Sequence, residues 1–220
     1  MHARVIRCPH RSRVEAHRLL AEAAAGLLRV APERLVVGRE PSGQPTVRTA
    51  DGTGARVWVS LSYGRGLLAA AASLAGPVGI DVESGIDAES GRSELGRLAE
   101  RWFDPVEADW LRGQPAADRP VDFLLLWTAK EALGKALGTG LRGAGLLRGV
   151  PLPPVADGTF RPVPDGLWLA HPVPGPGYVL AVASGSGGVT LVVQDGTGHG
   201  VPARSTARSR DSLPVVVRGN

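Results

Sequence analysis

Residues 67–83 read LLAAAASLAGPVGIDVE, and residues 178–194 read YVLAVASGSGGVTLVVQ. The two stretches lie over one another without a gap at an offset of 111 positions, so that Ser73 meets Ser184 and Gly76 meets Gly187. Val78, Ile80 and Val82 likewise meet Val189, Leu191 and Val193. Each stretch is an apolar run, a small-residue turn and an alternating run, the pattern of two successive strands. The same offset carries residues 11–28, RSRVEAHRLLAEAAAGLL, onto residues 122–139. Both of these windows are rich in strong helix formers. Strands of Ala, Val and Gly align easily, yet two copies of one helix–loop–strands unit are the simplest account. The expected fold is therefore α+β, a pseudo-duplicated two-lobe fold in which each lobe is a helix packed on a small antiparallel sheet. The expected lobes are 1–90 and 91–195, with 196–220 a flexible tail of Gly, Ser, Thr and Arg composition.

Between these landmarks, Gly38, Pro41, Gly43, Pro45, Asp51, Gly52 and Gly54 make residues 38–55 turn-rich. Strands are expected at 57–61, 67–73, 77–83, 178–183 and 189–194, and a helix at 94–112. The strongest helix spans 121–138, with stop signals at Gly138 and Gly140. Residues 141–176 read as loop with short strands.

A chain of 220 residues that is 43% hydrophobic and 21% charged can bury a sizeable core. No apolar stretch approaches the length of a membrane span, so no membrane partner is expected. Arg4, Arg7, Arg11 and Arg13 precede the apolar run from Leu19 to Leu28, but Glu22 breaks that run and no secretory signal is expected. The single cysteine, Cys8, has no internal disulfide partner, and no Cys/His cluster suggests zinc. The expected location is cytoplasmic. The isoelectric point near 10.0 invites a nucleic-acid partner. Residues 196–220 carry +3 of the total +4, however, which leaves +1 for the rest. With few aromatics among the arginines, no nucleic-acid partner is expected.

On the strand at 77–83, Asp81 and Glu83 project from one face about 7 Å apart along the chain. A solvated strand end explains such a pair, and so does a hard-cation site, most naturally Mg²⁺ beside a phosphate. On the helix at 121–138, Leu126, Leu133 and Leu137 form an apolar stripe with Lys130 at its flank. Glu131 and Lys135 stand one turn apart on the opposite side. An ordinary surface ion pair accounts for them, though Gly134 and Gly138 are poor choices for a helix built only for stability. Of 25 basic residues only Lys130 and Lys135 are lysine, and they lie five positions apart. Such clustering suits a site that needs a compact ammonium rather than a planar guanidinium.

GIDVE at 79–83 followed by WTAKEALGK at 127–135 resembles the 4′-phosphopantetheinyl transferases, and more narrowly their monomeric two-lobed subgroup serving polyketide and nonribosomal peptide assembly lines. The family pattern, a G-[IV]-D-x-E strand and a W-[ST]-x-K-E-[AS]-x-x-K helix, is met at every position. GREPSGQPTV (38–47), WVSLSYGRG (58–66) and RWFDPVEADWL (101–111) are similar to further family segments. The resemblance implies an enzyme that moves the 4′-phosphopantetheine group of coenzyme A to a serine of an acyl or peptidyl carrier protein, with Mg²⁺, releasing 3′,5′-ADP. It implies that Asp81, Glu83 and Glu131 hold the metal. Glu131 takes the serine proton, and Lys135 neutralises charge on the leaving group. It further implies that Lys130 and Ser62 contact the nucleotide or its phosphates, with Arg13, Arg18 and Arg39 as candidates for the 3′-phosphate. A monomer is expected. Two departures stand out: Tyr63 where the family has histidine, a 3′-phosphate contact, and Gln44 where it has lysine.

Two other readings stay open on the residues alone. A metal-dependent nuclease also combines acids with lysine, although usually as E-x-K on a strand, whereas here the spacing is E-x-x-x-K on a helix. A catalytically weak carrier-protein-binding homologue fits the Tyr63 change but not the intact acidic residues.

Overall fold

The computed structural model describes residues 1–7, 12–84, 92–141, 145–186 and 190–194. Cys8 and the tail at 196–220 lie outside the described residues.

The chain runs β1 (His2–Arg7), α1 (Arg13–Leu28), β2 (Leu35–Arg39), β3 (Pro45–Thr49), β4 (Trp58–Gly64), β5 (Leu67–Ser73) and β6 (Val78–Ser84). It continues with α2 (Arg92–Trp102), α3 (Pro105–Gly113), α4 (Arg119–Ala136), β7 (Arg161–Val163), β8 (Leu167–Ala170), β9 (Tyr178–Ser184) and β10 (Thr190–Gln194). The architecture is the expected α+β, with two four-stranded sheets in the orders β10-β1-β5-β4 and β6-β9-β8-β7, and β2–β3 as a separate hairpin.

Each sheet carries one principal helix. Ser12 caps α1 by accepting the Glu15 amide at 3.2 Å. The small residues Ala16, Ala23 and Ala24 let that helix settle on Leu68, Ala70 and Ala72 of β5. Leu126, Ala129, Ala132 and Leu133 of α4 lie in one core with Leu169, Ala181 and Ala183 of the second sheet. Between the sheets, Ala3, Leu67, Ala69 and Ala71 meet Val78, Ile80, Val82, Leu180 and Val182. Strand β5 is covered on both faces, which explains why its sequence is apolar without alternation.

The duplication has a twist that the aligned sequences do not show. Strand β6 of the first half pairs with β9 of the second, Asp81 opposite Ala181. Strand β10 of the second half pairs with β1 of the first, and in parallel, so the first sheet is mixed rather than purely antiparallel. The Asp81 strand therefore belongs by its backbone ladder to the second sheet, whereas the expected lobe boundary put it in the first. Its other edge meets β4, where serine side chains stand in for a ladder: the Ser60 hydroxyl accepts the Ile80 amide at 3.1 Å, and the Ser62 hydroxyl accepts the Val82 amide at 3.3 Å. Those buried amides must be satisfied by something, and the S-L-S alternation of β4 supplies two oxygens on one face.

Other elements differ from expectation for local reasons. The helix expected at 94–112 breaks into α2 and α3 because Asp104 caps the second, with Pro105 at its first position and Glu107 closing a capping box. The turn-rich stretch at 38–55 holds the turn of the β2–β3 hairpin, at Gly43 with φ of 90°, and its second strand.

Candidate active site

Helix α4 crosses β6 at Gly79, where a Cβ would stand 1.8 Å from the Ala132 carbonyl oxygen. Only a residue without a side chain permits that approach. It brings the face of β6 that bears Asp81 under the helix, so Asp81 is buried, 4% exposed, and is not a solvated strand end. Its Oδ1 accepts two hydrogen bonds, from the Ser62 hydroxyl at 2.7 Å and from Lys135 Nζ at 2.6 Å. Lys135 Nζ also donates to the Ile80 carbonyl at 3.1 Å. Asp81 Oδ2 is equally buried and has no hydrogen-bond partner. Burial raises the Glu131 pKa above the usual carboxylate value; Lys135 opposes that shift and Asp81 adds to it. Glu131 and Lys135 are both half-buried, not on an open helix face, because α4 is covered on nearly every side.

Lys135 lines two adjoining cavities. The larger, about 760 Å³, is bounded by Arg39, Ser42, Gln44, Ser60, Tyr63 and Thr139 among others. The smaller, about 480 Å³, shares Gln44, Pro45, Lys135 and Gly138 and adds Arg48 and Arg56. Tyr63 and Arg39 thus stand where a ligand of this cleft would meet them, and Arg39 donates to the Gly43 carbonyl at 2.7 Å. Arg48 and Arg56 escaped the sequence reading, since nothing marks two arginines in a chain that uses arginine at all but two basic positions.

Several expected site residues are placed elsewhere. Lys130 is fully buried, paired with Glu107 at 2.6 Å, donating to the Arg148 carbonyl and standing 5.1 Å over the Phe103 ring. Five positions along a helix rotate it away from Lys135, so it faces Glu107 and Phe103 and lines neither cavity. Burial lowers its pKa against the opposing pull of Glu107. Ser62 is buried, and its hydroxyl is engaged with Asp81 and the Val82 amide; it positions the carboxylate instead of opening to the cleft. Arg18 is held by Glu15 and Glu22 on its own helix, and neither it nor the exposed Arg13 lines the cavities. Among the described residues, no three His, Cys, Asp or Glu side chains stand together as a metal-binding group. Asp81, Glu83 and Glu131 are consequently not a preassembled cluster: the structure gathers an ammonium at Asp81. The donor types nevertheless suit a hard cation, being all carboxylate, with one buried oxygen that nothing else satisfies.

Fold and site define a two-lobed α+β protein in which Lys135 lines a cleft and is paired with the buried Asp81 carboxylate behind it. Residues 77–183, which run from just before β6 nearly to the end of β9, match the family model of the 4′-phosphopantetheinyl transferase superfamily. The chain is similar to the 4′-phosphopantetheinyl transferase HetI of Nostoc sp., 33% identical over 135 residues, covering 60% of this chain and 54% of HetI. It is also similar to slr0495 of Synechocystis sp., provisionally assigned the same activity, at 29% over 120 residues, covering 54% of this chain and 46% of that protein. The matched segments span about half the length of these relatives. Among the described residues no helix is long and apolar enough to cross a membrane.

Proposed function

We propose that the chain transfers the 4′-phosphopantetheine group of coenzyme A to a serine of an acyl or peptidyl carrier protein. The observation that carries this reading is the contact of Lys135, which lines the cleft, with the buried Asp81, made across 54 residues of sequence. The larger cavity falls within the size range of small-molecule and cofactor sites.

In this reading the carrier serine Oγ forms a bond to the β-phosphorus of coenzyme A while the bond to the nucleotide oxygen breaks, releasing 3′,5′-ADP. Glu131, its proton affinity raised by burial, takes the serine proton. Lys135 supplies a compact positive charge for the oxygen that leaves, and Arg39 and Tyr63 bound the space for the nucleotide. A bound Mg²⁺, with Asp81, Glu83 and Glu131 as its ligands, would neutralise charge on the pyrophosphate. Ser62 fixes the Asp81 carboxylate. A monomeric, cytoplasmic enzyme is part of the same reading.

Incubating the protein with Mg²⁺, coenzyme A and apo carrier proteins of both kinds should add one phosphopantetheine group to the carrier serine, read by intact mass. Carriers of both kinds left unshifted after long incubation would refute the proposal.

A further inference from the structure

The crowding at Asp81 has an implication for Lys135, resting on the reading above only in supposing that a divalent cation visits the site. Asp81 Oδ1 holds two donors while Oδ2, a few bond lengths away and buried, holds none. A carboxylate in that state is charge-matched by one neighbour but coordinatively unfinished. The neighbour is Lys135, whose ammonium sits where an oxygen-seeking cation would be drawn. A divalent ion and an ammonium on one carboxylate repel strongly in a poorly screened setting. One of the two cations must give way.

We infer that Lys135 and a divalent cation are alternative occupants of the Asp81 carboxylate, so that metal arrival releases the Lys135 ammonium into the cleft. The geometry allows the exchange. The Lys135 side chain is 26% exposed and lines both cavities, so its flexible stem can swing without opening the core. Lys130 on the same helix, fully buried and fixed to Glu107, has no such exit. Ser62 meanwhile keeps its bond to Oδ1, so the carboxylate does not turn when Lys135 departs. The ion that enters thus hands a free cation to any phosphate in the cleft.

The chain contains only two lysines, which makes the exchange directly observable. In the wild-type protein labelled with [¹³Cε]lysine, Mg²⁺ alone, without coenzyme A, should move one lysine signal saturably and leave the other in place. The moving signal is the one missing in Lys135→Arg. Independently, Lys135→Met should bind Mn²⁺ about tenfold more tightly than wild type in an electron paramagnetic resonance titration, the effect of removing one competing charge from a partly screened site. Lysine signals that stay unmoved as Mg²⁺ is raised to saturation, or a Lys135→Met protein that binds Mn²⁺ no more tightly, overturn the inference. The carrier-modification assay separates the two failures. A protein that modifies carriers but shows no exchange refutes the exchange alone, and one that exchanges but modifies no carrier refutes the transferase reading alone.

Discussion

Replacing Gly79 by alanine should move the catalytic helix, and the size of the movement follows from the contact at that residue. The added Cβ would lie 1.8 Å from the Ala132 oxygen and 2.7 Å from the Ala136 nitrogen, whereas real Cβ atoms essentially never come within 3.0 Å of another atom. Both obstacles are backbone, so no side chain can swing away, and α4 must retreat by at least about 1.2 Å. Lys135 lies between those two residues. Its contact with Asp81, now 2.6 Å, would be stretched beyond hydrogen-bonding range unless its stem follows. Overpacking of this kind costs about 1–3 kcal/mol of stability. Misplacement of a positioned group by ~1 Å costs about 10²-fold in rate. Gly96→Ala, in α2 with nothing within 4 Å of its Cβ, is the control and should be neutral or slightly stabilising. Urea denaturation and carrier-modification kinetics measure both effects. A Gly79→Ala protein within about 0.5 kcal/mol of wild type and with undiminished turnover would show that α4 does not need the glycine to reach Asp81.

Lys130→Met should destabilise by about 3–5 kcal/mol because it leaves the Glu107 charge buried without its counter-charge, and adding Glu107→Gln should recover part of the loss, both read from urea midpoints. His171 is buried, its Nε2 donates to the Leu125 carbonyl at 2.9 Å, and its pKa is lowered to about 4, chiefly by burial. The unfolded chain, with a histidine near 6.5, binds the proton first, so stability is full above that pH and falls as pH drops toward 4, by about 3 kcal/mol in total. A His171→Gln protein should lack that part of the pH dependence in thermal melts. Tyr63→His should lower KM for coenzyme A by the equivalent of roughly 1–2 kcal/mol, more at low pH, with no change for 3′-dephospho-coenzyme A. Equal gains with both forms would mean that residue 63 does not meet the 3′-phosphate.

The chain's repeat was legible because α1 and α4 are rich in helix formers and β5 and β9 are apolar runs, so each half shows the same succession of compositions. Strand β1 was not, because its arginines resemble a charged leader and only the pairing with β5 and β10 makes it a strand. Among site residues, Asp81 and Lys135 were legible from spacing and from the rarity of lysine. The fate of Lys130 was not, since a stripe of leucines cannot reveal that α2 and α3 cover the remaining face of α4. Nor could spacing show that the S-L-S of β4 serves the Asp81 strand. Hydroxyls that complete another strand's amides follow no period of their own, and they are found only once two edges are seen side by side.

The exchange of edge strands between the halves also shapes how the chain comes together. His2 pairs opposite Thr190, so β1 finds its outer neighbour only once β10, almost 190 positions further along the chain, has been made. Strand β6 likewise waits for β9. Contacts so distant in sequence slow folding, and until they form each half presents an unzipped sheet edge. Two fragments divided within residues 85–91 would each carry the strand that completes the other's sheet, a built-in basis for reconstitution from separate pieces and, between two intact copies, for swapping.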